Sequence, residues 1–260
     1  ELSGSNTYSG ATTVSGGTLR LGATGGATNT PLGTTAAGTT VTGASSALDL
    51  NGYTLGTAEA LTLSGALATG ALQNTSSTAV SYTGLITLGA ASTIISNYGD
   101  ISITNGGNIT GATFGLTVGG AGNGSLYSNL NTTSGTLTKN GVGVWTIYGG
   151  ASTFTGLTTI SAGTLKLGSA GSGSNTPLGT NAGGVTVTSG AIFDLNGFTL
   201  ATAEPIGSLN GTGIASIGAF INSSNSSVSY SGAITMGAAS RVANYGSGTM
   251  TVSGNISGNF

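Results

Sequence analysis

The residues that could do chemistry are few, and their most regular feature is a repeated pair of acids. Among six acidic residues in 260, Asp49 precedes Glu59 by ten positions and Asp194 precedes Glu204 by ten. Two carboxylates on one surface could act as acid and base on a glycosidic bond, or bind Ca²⁺. No Lys or Arg is near either pair in the sequence. We therefore expect these acids to lie on solvated strand faces or in turns, without a catalytic role.

The composition excludes several other kinds of site. The chain has no His and no Cys, so a Ser-His-Asp triad, a Cys nucleophile and an ordinary zinc site are absent. Its four cations, Arg20, Lys139, Lys166 and Arg241, are too few and too scattered to bind nucleic acid. The prediction is a protein that is not an enzyme, with no catalytic, cofactor-binding or metal-binding residues, no cofactor and no nucleic-acid partner.

The elements that position these residues are short strands. Trp145 and Ile147 alternate with Thr146 and Tyr148, which is the period of two that a strand requires. Glycine, with 50 copies, interrupts every such run and predicts turns. No segment shows the 3.6-residue period of an amphipathic helix. In the first half of the chain the predicted strands are Thr18–Leu21, Thr39–Thr42, Ala47–Leu50, Tyr53–Leu55, Leu61–Leu63, Ala79–Tyr82, Leu85–Leu88, Thr93–Ile95, Ile101–Ile103, Phe114–Val118, Thr136–Thr138 and Val144–Tyr148.

A long internal repeat organises the chain. The segment 29–33 recurs as 175–179, a spacing of 146, and the segment 48–55 recurs as 193–200, a spacing of 145. The sequence therefore predicts a first tandem unit at residues 1–146 and a second, truncated unit of the same continuous solenoid at residues 147–260. Because both ends interrupt a unit, we expect the chain to be part of a longer array.

This repetition favours a solenoid over an antiparallel sandwich, which seldom exceeds about 200–250 residues as one core. The predicted fold is all-β, a right-handed parallel β-helix, or β-solenoid. At about 20 residues per coil it would have roughly 12 or 13 coils. The hand follows from the strong bias of parallel crossovers.

One stretch carries a family resemblance. Residues 137–167 read Leu-Thr-Lys-x-Gly-x-Gly-x-Trp-x-Ile and then x-Phe-x-Gly-x-Thr-x-Ile-x-x-Gly-Thr-Leu, and residues 2–21 repeat the second half. This order resembles the autotransporter-associated β-strand repeat of secreted bacterial surface proteins. The resemblance implies a β-helix at the cell surface, associated with the outer membrane. It also implies an outer-membrane translocator barrel elsewhere in the parent chain.

The expected function is structural or adhesive: a β-helical stalk or fibre-forming passenger segment. Low charge favours self-association end to end or side by side, as a fibre or sheath, and contacts with a host surface or glycans. Two alternatives remain open at this point. One is a carbohydrate-active β-helix enzyme of the polysaccharide lyase or hydrolase type, and the other is an ice-binding surface protein that uses outward threonines.

Overall fold

The computed structural model describes residues 1–65 and 68–259. This part of the chain folds into 31 short strands and one 3₁₀ turn, Ile214–Ser216, with no α-helix. Most strands belong to three parallel sheets, A, B and C, which form the three faces of one rod. The chain visits the faces in the order A, B, C, so each circuit adds one turn. The prediction of an all-β parallel solenoid is confirmed.

Sheet A contains β1 (Thr12–Val14), β5 (Thr39–Thr42), β7 (Leu61–Ser64), β10 (Ile86–Leu88), β13 (Asn108–Thr110) and β16 (Asn129–Asn131). Sheet B contains β2 (Gly17–Arg20), β6 (Ser46–Asp49), β8 (Leu72–Asn74), β11 (Ser92–Ser96), β14 (Leu116–Gly120), β17 (Leu137–Lys139), β19 (Thr158–Ile160), β23 (Val185–Val187), β25 (Ile206–Gly211), β28 (Ile234–Ser240) and β31 (Ile256–Ser257). Sheet C contains β9 (Val80–Tyr82), β12 (Ile101–Ile103), β15 (Gly124–Leu126), β18 (Val144–Ile147), β20 (Gly163–Leu167), β24 (Ala191–Asp194), β26 (Phe220–Asn222) and β29 (Val242–Asn244).

Six further strands form three two-stranded sheets. A parallel pair consists of β27 (Val228–Tyr230) and β30 (Met250–Val252). Two antiparallel hairpins consist of β3 (Asn29–Thr30) with β4 (Gly33–Thr34), and of β21 (Asn175–Thr176) with β22 (Gly179–Thr180).

The number of turns is smaller than predicted. Sheet B has eleven strands, and its ten steps carry the chain from Gly17 to Ile256, so a turn averages about 24 residues. The solenoid therefore has about ten turns, and the prediction of 12 or 13 coils is wrong. The assumed 20 residues per coil left no room for the corner loops and hairpins. The right hand of the coil stays a prediction.

The core is built from columns of inward residues, because the period of two alternates the side chains across each strand. Equivalent inward residues of successive turns are paired in register, as in the column Leu48, Leu72, Ile94 and Val118. All four are buried. Aromatic rings continue the stacking in the second half, where the Phe193 and Phe220 rings lie 5.4 Å apart. Burial of these columns along the whole rod is the main stabilising term.

Equivalent strands of the two repeats lie on different faces. Strand β1 belongs to sheet A, but its counterpart 146 residues later, β19, belongs to sheet B. In the same way β6 of sheet B corresponds to β24 of sheet C. Six steps of sheet B separate β2 from β19, so one repeat covers six turns and one further face. The division into units at residues 146 and 147 stays a prediction.

Two kinds of strand differ from the prediction. The run Tyr53–Leu55 is irregular and follows a turn in which the Tyr53 N–H donates to the Leu50 carbonyl. Conversely, the sequence does not predict strands such as Asn129–Asn131, because a three-residue strand with a single inward side chain gives almost no periodic signal.

Candidate functional site

The four repeated acids are buried, and each pair is divided between separate networks. Asp49, Glu59, Asp194 and Glu204 are all at most 2% exposed. Asp49 contacts Arg20, Asn51 and Thr75, whereas Glu59 bonds to Thr39 and Tyr82. The expectation that these acids are solvated is therefore wrong. Asp49 and Asp194 each end a strand, and residues of the next turn, Thr75 and Ser223, cover them.

Asp49 joins three successive turns of the rod. Its Oδ1 accepts the backbone N–H groups of Asn51 at 3.0 Å and Thr75 at 3.1 Å. Its Oδ2 accepts the Thr75 hydroxyl at 2.6 Å and the Arg20 Nε–H at 3.0 Å. Arg20, Asp49 and Thr75 belong to consecutive turns of sheet B and its corner. The carboxylate is thus a structural tie with both oxygens in use.

Asp194 repeats this arrangement in the second unit. Its Oδ1 accepts the backbone N–H groups of Asn196 at 2.8 Å and Ser223 at 3.0 Å. Its Oδ2 accepts the Ser223 hydroxyl at 2.6 Å and lies 3.6 Å from Lys166 Nζ. Because four donors surround each aspartate, neither carboxylate is available to a substrate.

Glu59 and Glu204 are placed differently, with one carboxyl oxygen left over. Glu59 Oε1 accepts the Thr39 hydroxyl at 3.2 Å, and Glu204 Oε1 accepts the Thr176 hydroxyl at 3.0 Å. The Oε2 atom of each glutamate is buried without a hydrogen-bond partner. Neither carboxyl has an ion-pair partner among residues 1–65 and 68–259, where both ion pairs involve aspartates.

Burial changes the proton affinity of these groups. Desolvation raises the pKa of Glu204 from its ordinary 4.5 to about 7, although the Thr176 hydrogen bond opposes the change. Desolvation likewise raises the pKa of Glu59, opposed by Thr39. The hydroxyls of Tyr82 and Tyr230 donate to the backbone carbonyls of Glu59 and Glu204 at 2.6 and 2.5 Å. Burial also raises the pKa of each tyrosine, and the nearby glutamate adds to that effect.

The space beside Glu204 is narrow. It is lined by Leu200, residues 202–204 and residues 229–232, and has no room for a water molecule. A sugar or a hydrated cation could not enter it. Because His and Cys are missing and the acids are scattered, the described part of the chain contains no group of three or more potential metal ligands.

Lys139 is a functional residue that sequence reasoning missed. Its side chain is fully buried in the core column, where its paired neighbours are Val118 and Ile160. Its Nζ donates to the backbone carbonyls of Asn140 at 2.7 Å, Gly141 at 2.7 Å and Ala162 at 3.0 Å. Burial lowers its pKa to about 8, so it remains an ammonium at neutral pH. The alternation of Leu137, Thr138 and Lys139 was the available signal, because it points Lys139 inward.

Trp145 closes the same corner between sheets B and C. Its indole N–H donates to the Gly119 carbonyl at 3.1 Å. The ring covers Gly124, where an added Cβ would lie 2.3 Å from a ring carbon. Lys139 and Trp145 therefore satisfy carbonyls of three successive turns with side chains from the core, which explains why the motif contains a Lys, a Trp and several glycines together.

The outer faces carry columns of hydroxyls. Each short strand has one central outward residue, and these are paired in register from turn to turn. On sheet A the column is Thr13, Thr40, Thr62, Thr87 and Thr110. On sheet B it is Thr93, Thr117, Thr138, Thr159 and Thr186. Each column is one residue wide.

Three of the exposed apolar side chains lie apart from one another. Leu85 precedes β10 of sheet A, Val142 follows β17 of sheet B, and Leu157 precedes β19 of sheet B, so each lies at a different corner. The Tyr127 and Tyr148 rings are stacked 4.2 Å apart and nearly parallel. Each ring therefore covers one face of the other, which reduces the surface on which a sugar could stack.

Among the described residues, no helix has the length and apolar character needed to span a bilayer.

Comparison with known proteins gives one family. The model of the Passenger-associated-transport-repeat matches residues 1–21 and 137–167. These are the segments on which the resemblance was based, and the second contains Lys139, Trp145 and Gly163. No curated protein and no solved structure matches the chain. The chain is therefore a parallel β-solenoid that carries two passenger-associated transport repeats, the repeat family of autotransporter passengers.

Proposed function

We propose that this segment is a structural stalk of a surface-exposed autotransporter passenger, with a mechanical role and no catalytic activity. The observation that carries the proposal is the use of the charged residues. Asp49 and Asp194 tie successive turns, and Lys139 closes a corner of the rod. Charged side chains, which an enzyme would direct into a cleft, form structural contacts in this protein.

The ladder of sheet B supports a load-bearing role. Its eleven strands form backbone hydrogen bonds along the rod axis, so a force along the axis would act on many bonds in series. Each side-chain tie spans a boundary between turns. This arrangement would resist separation of the turns better than backbone bonds alone, because charge-assisted hydrogen bonds are about twice as strong as neutral ones.

The repeat family supports an extracellular location at the bacterial surface, reached through an outer-membrane translocator domain of the parent protein. The hydroxyl columns favour lateral contacts, since they form flat polar faces with little charge repulsion. In this proposal neighbouring rods associate side by side or end to end, and the same faces meet a host surface or glycans.

Cysteine labelling of the parent protein on intact cells tests the location. Residues 1–260 contain no Cys, so Thr110→Cys adds one exposed thiol to this segment, and Ile109→Cys adds a buried control on the same strand. We expect a membrane-impermeant maleimide to label the first variant on intact cells and the second only after unfolding. Labelling of Thr110→Cys only after cell lysis would refute surface display.

Two assays test the mechanical role against the alternatives. We expect no turnover when the purified chain is incubated with neutral and acidic polysaccharides, and no thermal hysteresis on freezing. Turnover that disappears in the Asp49→Ala and Asp194→Ala variants would establish an enzyme. Thermal hysteresis that is lost when Thr117 and Thr138 are replaced by Lys would establish ice binding through the column of sheet B.

A further inference from the structure

Glu59 and Glu204 hold equivalent places in loops that contain no strand. Residues 50–60 connect β6 to β7, and residues 195–205 connect β24 to β25. Each loop crosses a face that the neighbouring turns fill with strands or a hairpin. Backbone hydrogen bonds also hold each loop, such as Gly56 N–H to the Thr24 carbonyl and Ala201 N–H to the Ala170 carbonyl.

Both glutamates are clamped from two sides. On one side a Thr hydroxyl donates to Oε1, from Thr39 for Glu59 and from Thr176 for Glu204. On the other side the next turn lies directly on the glutamate backbone. A Cβ added to Gly84 or Gly232 would lie 1.7 Å from the carbonyl oxygen of Glu59 or Glu204. The next turn therefore packs closely on the loop at the glutamate.

The surroundings leave Oε2 without a hydrogen-bond partner, and burial in this state costs a charged carboxylate more than a neutral carboxyl. The titratable group that faces Glu59 is Tyr82 from β9, and the one that faces Glu204 is Tyr230 from β27. Each tyrosine hydroxyl already donates to the glutamate backbone carbonyl. Each Oε2 lacks a donor, and the cavity beside Glu204 excludes water. A buried ionised carboxylate with one hydroxyl donor and no ion-pair partner is unfavourable, so ionisation favours release of the loop.

We propose that Glu59 and Glu204 are proton-sensitive locks, one in each repeat, which keep their loops closed when protonated and release them when ionised. The two sites share a Thr donor, a Tyr, an unpaired Oε2 and a glycine from the next turn. This repetition indicates a device of the repeat unit, because a single buried acid could be an accident of one loop.

The direction of the pH effect follows from proton linkage. The pKa of Glu204 is about 7 in the closed form and about 4.5 in the open, hydrated form. The open form therefore loses its proton first as the pH rises, and opening becomes more favourable between about pH 4.5 and pH 7. Below this range the lock is fully effective. Above this range the free-energy cost of keeping the loop closed no longer changes with pH.

Hydrogen exchange of the loop amides tests the proposal in the folded chain. After correction for intrinsic exchange, we expect protection of the amides of residues 200–206 to fall about 70-fold between pH 5 and pH 8, from the two pKa values. Glu204→Gln keeps the shape and removes the charge, so its protection should change less than about three-fold. Glu59→Gln should reduce the pH dependence of amide protection in residues 55–61 in the same way.

Asp100→Asn is the matched control, because it removes an exposed carboxylate that accepts one backbone N–H. We expect it to leave the pH dependence of both loops unchanged. Equal pH dependence in wild type and in Glu204→Gln would overturn the proposal. If Glu204→Gln does not fold, a ¹³C NMR titration of the wild-type glutamate carboxyls decides the question. A midpoint near 7 supports the lock, and midpoints near 4.5 for both buried glutamates overturn it.

Discussion

At the scale of single residues, the buried charged side chains form contacts within the rod and do not line a cleft. Asp49 and Asp194 are surrounded by donors, Glu59 and Glu204 each have one hydroxyl donor and an unpaired Oε2, and Lys139 lies among carbonyls. The same residue class therefore has opposite roles according to its partners. A paired carboxylate holds turns together at neutral pH, whereas an unpaired carboxyl weakens its loop once it loses its proton.

Asp49→Ala should destabilise the chain by about 2–4 kcal/mol, because it leaves the N–H groups of Asn51 and Thr75 unpaired in a buried place. Asp194→Ala should have a similar effect in the second unit. Urea unfolding followed by circular dichroism measures both. The exposed control Asp100→Asn should change stability by less than about 0.5 kcal/mol. Equal effects of Asp49→Ala and Asp100→Asn would show that the tie has no energetic role.

Lys139→Met should cost about 2–4 kcal/mol at pH 7, since methionine fills the column but leaves the carbonyls of Gly141 and Ala162 unpaired. The comparison is Lys166→Met, which removes a partly exposed lysine 3.6 Å from Asp194 and should cost less than about 1 kcal/mol. Thermal unfolding of both variants gives the ranking. A Lys166→Met variant less stable than Lys139→Met would contradict the stabilising role of the hydrogen bonds from Lys139 to the backbone carbonyls.

The burial of these acids and of Lys139 shows what the sequence could not provide. Alternation places Trp145 and Ile147 on one face of β18, and both are buried. It gave no information on whether a loop of a neighbouring turn covers an outward residue. Asp49 points outward and is buried because Thr75 and Arg20 lie over it. Such coverage depends on contacts 26 and 29 residues away in sequence.

At the scale of elements, the strands are short and depend on register for their stability. A strand of three residues places one or two side chains in the core, so no strand would be stable alone. Glycine at particular positions permits the close stacking of turns. Gly124 of β15 lies beneath the Trp145 ring of β18, whereas a Cβ added to Gly106, in a corner, would meet no atom within 4 Å.

Gly124→Ala should therefore destabilise the chain by about 1–3 kcal/mol, because the added methyl group overlaps the Trp145 ring. Gly106→Ala should be within about 0.5 kcal/mol of wild type. Trp145 is the only tryptophan, so its fluorescence reports directly on this contact during unfolding. A neutral Gly124→Ala with unchanged Trp145 emission would show that β15 and β18 are not stacked in this register.

The sequence also defined some elements better than others. Strands with two inward residues, such as Val144–Ile147, were predicted close to their true bounds. Strands such as Asn108–Thr110 were not, because their polar ends resemble turns. The corner loops and hairpins have no period at all. Their extra length is the reason that the number of turns was overestimated.

At the scale of the whole molecule, one repeat is six turns and one face long. Asp49 therefore ends a strand of sheet B, while its counterpart Asp194 ends a strand of sheet C. A feature that recurs with the repeat points in a new direction around the rod each time. This offset follows from a repeat length that is not a whole number of turns, and the sequence spacing alone does not reveal it.

The stacking of turns in parallel register is the central claim, and distances along one column of sheet A test it most directly. Thr13→Cys would carry one spin label, and Thr62→Cys, Thr87→Cys or Thr110→Cys the second, in a chain without native Cys. Pulsed electron resonance should give separations of about 10, 14 and 19 Å, because each turn adds about 4.8 Å. A separation that stays constant or falls as the second label moves along the chain would contradict the parallel solenoid.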